Sequence, residues 1–225
     1  MTYKNPVLAT IGLAFVFAGC AQKPQRVEKA VPTPTPVAAN PAPTPFPKLP
    51  PPSMTEVREA MQRIFGDVLS FTAEPGSFVV GDLNGDGSED LAVVARPVSN
   101  KLDEINSEVA NWIIQDTRQA IIPSPKQTVV KMDKAELPKV IAGETVLAII
   151  HGYGAKGWRN AQARQAYLIK NAAGQFEGTS PSISERAIRA MRLPVETDVI
   201  KVVRENKKGF VFWTGGFYAW HPRQG

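Results

Sequence analysis

Oxygen-bearing side chains recur at alternate positions in the short segment from Asp82 to Asp90. They stand at positions 82, 84, 86 and 90, and position 88 is a serine whose backbone carbonyl can serve as a further ligand. Hard divalent cations such as Ca²⁺ take roughly six to eight oxygen ligands, which a tight loop with alternating donors can supply. Gly85 and Gly87 permit the positive φ angles that so sharp a turn requires. The spacing therefore predicts a calcium site, with these ligands: Asp82, Asn84, Asp86, Ser88 and Asp90.

The same segment resembles the FG-GAP repeat of integrin-type β-propellers, whose calcium loop reads D-x-D/N-x-D-G-x-x-D. The resemblance implies the same five ligands, held between two strands of a sheet. It covers about 18 residues, and the chain contains no second copy. Because a propeller needs several repeats, the loop is expected in some other kind of sheet.

Two alternatives compete with this interpretation. An EF-hand or dockerin loop begins similarly but needs a carboxylate at its twelfth position, which here is Val93 within an apolar run. An Asp/Gly-rich turn without an ion is also a common structure. Three aspartates pressed into one turn would repel each other, however, and crowded all-protein cages suit Mg²⁺ poorly. We therefore expect calcium as the cofactor.

A glycine-rich loop after the apolar run Glu144–His151 is the one place that suggests catalysis. His151 ends this run, and Tyr153, Trp158 and Arg159 follow it closely, so the group is a candidate ligand-binding site or, with His151 as general base, a hydrolase site. The chain has no G-x-S-x-G nucleophile motif and no G-x-x-x-x-G-K phosphate loop. A histidine beside glycines is more often a structural residue, and we expect a non-catalytic protein.

Aromatic residues concentrate near the end of the chain. Six of them lie between Phe210 and Trp220. Trp213 and Trp220 are candidates for stacking on a sugar of a cell-envelope polysaccharide. The opposing interpretation is that alternating aromatic residues in a terminal hairpin close one end of a core.

The first 20 residues read as an export signal. A short polar start precedes the apolar stretch from Val7 to Ala18, which is too short to span a bilayer comfortably. Phe17-Ala18-Gly19-Cys20 resembles the lipobox of bacterial lipoproteins, which implies removal of residues 1–19 and attachment of diacylglycerol and a palmitate-type acyl chain at Cys20. Ala21 after the cysteine implies the outer membrane. Ordinary cleavage after Ala21 is the competing interpretation.

A proline-rich segment separates this leader from the rest of the chain. Between Pro24 and Pro52, 11 of 29 residues are proline, which favours a polyproline II spacer, so we predict a disordered tether over 20–52. Residues 1–52 hold five Lys/Arg and one acid, while residues 53–225 hold 21 and 20. Four of the five net positive charges thus belong to the leader and tether, and the near-neutral body shows no footprint for nucleic acid.

The periodicity of the body predicts helices and strands in mixed order. Ser53 and Glu56 form a capping box, and apolar residues at helical spacing extend it to a helix over 54–70. Further helices are predicted for 103–120 and 184–191. Strands are predicted at these positions: 78–80, 91–94, 128–132, 144–151, 163–170, 198–204, 210–213 and 217–220.

These elements predict a single α+β domain of residues 53–225, with a mainly antiparallel sheet, helices on one face and a calcium-binding hairpin near its start. The expected protein is a lipid-anchored envelope lipoprotein in which the ion is structural. Its expected partners are the bilayer, through acylated Cys20, and an envelope polysaccharide or protein.

Overall fold

The computed structural model describes residues 48–72, 74, 76–120, 136–193 and 196–223. Cys20, the predicted leader, most of the tether and the strand predicted at 128–132 lie outside these ranges. Within them, no helix combines the length and the apolar character needed to cross a bilayer.

Helix α1, Met54–Phe65, begins at the predicted capping box. The Glu56 N–H donates to Ser53 Oγ at 3.3 Å, and the Ser53 N–H donates to Glu56 Oε2 at 2.8 Å. The helix ends at Gly66, whose φ of 58° few other residues adopt. The predicted extension to residue 70 is therefore wrong. The side chains that it buries are the expected ones: Val57, Ala60, Met61, Ile64 and Phe65.

A first, mixed sheet contains six strands, in the order β1-β3-β5-β6-β4, with β2 also paired to β3. All pairs are antiparallel except β4 with β6. The central strand β5 is buried along its whole length, as its uninterrupted apolar run predicts. The strands are β1 Leu69–Ser70, β2 Phe78–Gly81, β3 Asp90–Pro97, β4 Ile113–Asp116, β5 Val146–Ile150 and β6 Ala166–Lys170.

A second sheet is an antiparallel meander in the order β10-β9-β8-β7. Strands β8, β9 and β10 confirm the predictions, whereas β7 was not predicted. Its sequence contains one large apolar residue, Phe176, and its pairing with β8 shifts register between Phe176 and Gly178. The strands are β7 Gln175–Pro181, β8 Asp198–Arg204, β9 Lys207–Trp213 and β10 Tyr218–Pro222.

The helix predicted over 103–120 is wrong. A 3₁₀ turn, Ser99–Lys101, continues into the short helix α2, Leu102–Ile105, and the chain then extends into β4. The Asn106 side chain stops the helix, since its amide donates to the carbonyls of Leu102 and Val140, both at 2.9 Å. It also accepts the Val140 N–H at 2.8 Å. A contact 34 residues away thus overrides the local helical spacing.

The two sheets pack face to face. Leu147, Ile149 and Tyr167 of the first sheet share an apolar cluster with Val211 and Trp213 of the second. Helix α1 covers the opposite face of the first sheet, and helix α3, Arg186–Ala190, packs on the opposite face of the second. The class is α+β and mainly antiparallel, as predicted. The expectation of helices on one face of one sheet is wrong, because each of two sheets carries its own helix.

Candidate functional site

The segment with alternating oxygens forms the loop of a β-hairpin. Strands β2 and β3 pair from Phe78 with Val93 down to Gly81 with Asp90, so residues 82–89 connect them. The predicted strand-loop-strand arrangement is confirmed. The register brings the first and last of the predicted ligands to the two ends of the same loop.

Asp82 organises the first half of this loop. Its Oδ1 accepts the N–H groups of Gly85 at 2.8 Å and Asp86 at 3.1 Å, and its Oδ2 accepts that of Gly87 at 2.9 Å. Gly85 and Gly87 have φ angles of 79° and 85°, as the sharp turn requires. The carboxylate therefore lies inside the turn, surrounded by backbone donors.

Asn84, Asp86 and Ser88 continue the same pattern. Asn84 Oδ1 accepts the Asp86 N–H at 3.0 Å, and Asn84 Nδ2 donates to Asp86 Oδ2 at 3.0 Å. The buried Ser88 donates its N–H to Asp86 Oδ1 at 2.7 Å. These bonds fix the orientation of the Asn84 amide, because its oxygen faces a donor, the Asp86 N–H, and its nitrogen faces an acceptor, Asp86 Oδ2.

Asp90 is the buried end of the loop, with 0% of its surface exposed. Its Oδ2 accepts the N–H groups of Leu83 at 2.8 Å and Asn84 at 3.2 Å, and its Oδ1 accepts that of Gly152 at 2.6 Å. Burial raises the pKa of Asp90 well above its ordinary value, although these hydrogen bonds act to lower it. The negative charges of Asp86 and Asp82 raise it further. The side chain ties the loop to the end of β5.

Asp198, at the start of β8, brings a fourth carboxylate to the loop. Its Oδ2 accepts the Asp82 N–H at 2.9 Å, and its own N–H donates to the Asp82 carbonyl at 2.6 Å. A Cβ at Gly81 would lie 2.7 Å from this Oδ2, so a larger residue there would displace the Asp198 carboxylate. Burial, together with the charges of Asp86 and Asp198, raises the pKa of Asp82. Sequence reasoning missed Asp198 because it lies 116 residues from Asp82.

These four carboxylates have no cationic partner among the described residues. No lysine, arginine or histidine nitrogen there lies within 4.0 Å of Asp82, Asp86, Asp90 or Asp198. The donor set of carboxylate and amide oxygens fits the chemistry of a hard cation. Within the same ranges, no three His, Cys, Asp or Glu side chains form a ready-made metal-binding group. In the folded loop, backbone N–H groups already donate to the carboxylate oxygens of Asp82, Asp86 and Asp90.

His151 is a core residue, only 2% exposed. Its Nδ1 lies 3.3 Å from Asn84 Nδ2 and its Nε2 lies 2.6 Å from Tyr218 Oη. Because the Asn84 nitrogen is a donor, Nδ1 accepts, and Nε2 carries the proton that it donates to Tyr218. Burial lowers the pKa of His151 to about 4, although the negative charge of Asp86 acts to raise it. A buried, neutral imidazole inside an aromatic cluster lacks the access to substrate that a general base needs.

The two candidate stacking tryptophans do not present free faces. Trp213 is 9% exposed and lies in the core between the sheets, 5.4 Å from the His151 ring. Trp220 is half-buried, and the guanidinium carbon of Arg204 lies 4.4 Å from its ring centroid. This placement matches the interpretation that the aromatic residues close a core, and it counts against a sugar platform.

The loop after β5 holds the hairpin loop in place. The Trp158 N–H donates to the Glu89 carbonyl at 2.8 Å, and the indole N–H of this fully buried tryptophan donates to Glu89 Oε1 at 3.0 Å. Gly152 and Gly157 lie against the same carbonyl, where a Cβ would come within 2.3 and 2.4 Å of it. Tyr153, by contrast, is 55% exposed. Glu89, which sequence reasoning did not single out, is thus the contact between the two loops.

Each of the three guanidinium nitrogens of Arg159 donates a hydrogen bond within the fold. Its Nε donates to Glu56 at 2.8 Å, its Nη1 to Glu89 at 2.9 Å and its Nη2 to the Pro50 carbonyl at 2.9 Å. The group also lies over the Trp158 ring, 4.3 Å from its centroid. Arg159 therefore joins the end of the proline-rich segment, helix α1 and the hairpin loop, and its charge is already paired with Glu56 and Glu89.

Comparison of the chain with protein-family models, with curated proteins and with solved structures finds no match. The FG-GAP resemblance thus depends on the segment of about 18 residues around the loop, and function has to be argued from the geometry of the loop.

Proposed function

We propose that the protein is a non-catalytic, lipid-anchored envelope protein whose body holds a structural Ca²⁺ in the loop Asp82–Asp90. The observation that carries the proposal is the group of four carboxylates without a cationic partner in the described part of the chain, one of them fully buried. Two like charges about 4 Å apart repel by roughly 4 kcal/mol at an effective dielectric constant of about 20. A divalent cation offsets such repulsion.

The residues that would hold the ion are the side chains of Asp82, Asn84, Asp86 and Asp90 and the carbonyl of Ser88. When bound, Ca²⁺ supplies positive charge and a common centre for oxygens that now accept backbone N–H groups. The loop touches the first sheet through Asp90 and the second through Asp82 and Asp198. An ion at this point would therefore stabilise the junction between the two sheets, which is a structural role.

The lipid anchor is proposed from the lipobox-like sequence at Cys20, with the outer membrane as its location. Its test is fractionation of cells that produce the full chain, with a Cys20→Ala variant beside the wild type. We expect wild-type protein in the membrane fraction, labelled by radioactive palmitate, and the variant in the soluble fraction without label. Equal distribution of the two proteins without label would contradict lipidation.

Thermal melting with 10 mM Ca²⁺ against chelator tests the cation site. Extracellular calcium modules bind with dissociation constants of about 10⁻⁴–10⁻³ M, so this concentration stabilises the folded state by about 1.4–2.7 kcal/mol. For a domain of this size the midpoint should rise by roughly 3–10 °C. Asp86→Asn should reduce the rise, whereas Glu59→Gln, an exposed acid on α1, should leave it intact.

Elemental analysis of the same samples decides the outcome. We expect one calcium per wild-type chain after gel filtration in calcium-containing buffer and less for Asp86→Asn. A wild-type midpoint that does not move, together with no retained metal, would overturn the proposed calcium site.

A further inference from the structure

A groove lies between helix α3 and the end of the β9–β10 hairpin, on the side of the second sheet that faces away from the first. Its volume is about 810 Å³, within the range of small-molecule sites. Phe210, which is 2% exposed, lines the groove together with the half-buried Ala187 and Met191. Phe210 and Met191 belong to the apolar cluster under α3, so the groove extends from this cluster toward solvent.

The polar residues that line the groove are mainly basic. Arg186 of α3 and Arg223 beside the end of β10 are exposed, and His221 is half-buried. Within the described ranges, neither guanidinium has a carboxylate within 4.0 Å. The acidic lining residue, Glu185, is already paired with other groups.

Glu185 does not neutralise the two arginines of the groove, and Glu177, which lies within Coulombic range of Arg223, is hydrogen-bonded to Lys208. Glu185 Oε1 accepts from Ser180 Oγ at 3.0 Å and lies 3.2 Å from Lys201 Nζ. The remaining charge comes from two guanidinium groups, whose planar donor forks suit carboxylates. The groove therefore combines an apolar floor with cationic walls.

We propose that this groove binds an anion carrying one alkyl chain, specifically an acyl-chain carboxylate. The carboxylate would meet Arg186 and Arg223, and the chain would lie along Phe210 and Met191, where it removes apolar surface from water. A single-chain carboxylate matches the two features of the groove, its apolar floor and its two arginines. This site is independent of the calcium loop.

Titration calorimetry of the full chain with decanoate tests the proposal. The expected dissociation constant is roughly 1 mM or tighter, given the usual affinity per ligand atom. Decanol, which has the chain without the charge, and acetate, which has the charge without the chain, should each bind at least about tenfold more weakly. The double variant Arg186→Gln/Arg223→Gln should weaken decanoate about tenfold, because two charge-assisted contacts at an exposed rim are lost.

The matched control is Arg58→Gln, an exposed arginine on α1, which packs on the other sheet. Arg58→Gln should leave decanoate binding unchanged. Met191→Gln should weaken the binding of decanoate and leave the heat measured with acetate unchanged. The proposal is overturned if wild-type protein shows no heat with decanoate up to several times that concentration, or if the double variant binds as wild type does. Binding of phosphatidylglycerol vesicles but not decanoate would equally reject the single-chain carboxylate.

Discussion

A His151→Gln protein should lose less stability than the wild type when the pH falls from 7 to 4. The ordinary pKa of histidine is 6.5, and burial lowers that of His151 to about 4 in the folded state. Between these values the unfolded chain binds more protons than the folded one, so folding stability is fully present above pH 6.5 and is lost as the pH falls toward 4. The difference corresponds to about 3 kcal/mol.

Buried carboxylates act in the opposite direction over part of this range. The pKa values of Asp82 and Asp90 are raised in the folded state, so their ionisation lowers stability as the pH rises. Both proteins contain these groups. The difference between wild type and His151→Gln in the pH dependence of stability therefore isolates the imidazole.

Urea unfolding of chelator-treated protein, followed by tryptophan fluorescence at pH 7, 6, 5 and 4, measures this difference. The variant should be less stable at pH 7, because the bonds to Asn84 and Tyr218 are altered, and the gap should close by about 3 kcal/mol at pH 4. His221→Gln is the comparison variant, since His221 is the other of the two histidines and lies outside the aromatic cluster around His151. Parallel loss of stability in wild type and His151→Gln would refute the assignment of a neutral, buried imidazole.

Three further substitutions test the contacts around the hairpin loop, each by urea unfolding. Gly152→Ala should destabilise the protein by about 1–3 kcal/mol or more, because its Cβ would lie 2.3 Å from the Glu89 carbonyl. Gly216→Ala, which has open space around it, is the control and should stay within about 0.5 kcal/mol of wild type. Equal effects of the two substitutions would contradict the close approach of Gly152 to Glu89. Arg159→Met should lower the free energy of unfolding by about 1–2 kcal/mol and increase cleavage of the chain near Pro50 by proteases. Wild-type resistance to cleavage in the variant would contradict the role of Arg159 in holding Pro50 against helix α1 and the hairpin loop. Asp90→Asn should destabilise chelator-treated protein by about 1–3 kcal/mol although it removes a charge, because the new amide nitrogen would face a backbone N–H donor. A gain in stability would show that repulsion among the loop carboxylates outweighs the hydrogen bonds that Asp90 accepts.

The local elements of the fold could largely be read from the chain. The capping box at Ser53, the apolar run of β5 and the runs of β-branched and aromatic residues in β8 to β10 all depend on neighbours within a few residues, and the structure confirms each of them. The failures have long-range causes. Asn106 ends helix α2 through Val140, and β7 is a strand because β8 pairs with it despite a register shift.

The candidate site shows the same division. The spacing of the oxygen-bearing residues predicted a turn between two strands, because alternate positions and glycines are properties of a short segment. That His151 and Trp213 are buried depends on the packing of two sheets, which places them together in one aromatic cluster.

By itself, then, the sequence determined where the hairpin lies and which of its side chains bear oxygen. Only the tertiary structure decided what surrounds them. Asp198 reaches the loop from 116 residues away and Trp158 reaches Glu89 from 69 residues away. The physical reason is that local hydrogen bonding and periodicity are encoded over a few residues, whereas these contacts form only when the second sheet and the loop after β5 pack against the hairpin and exclude water from it.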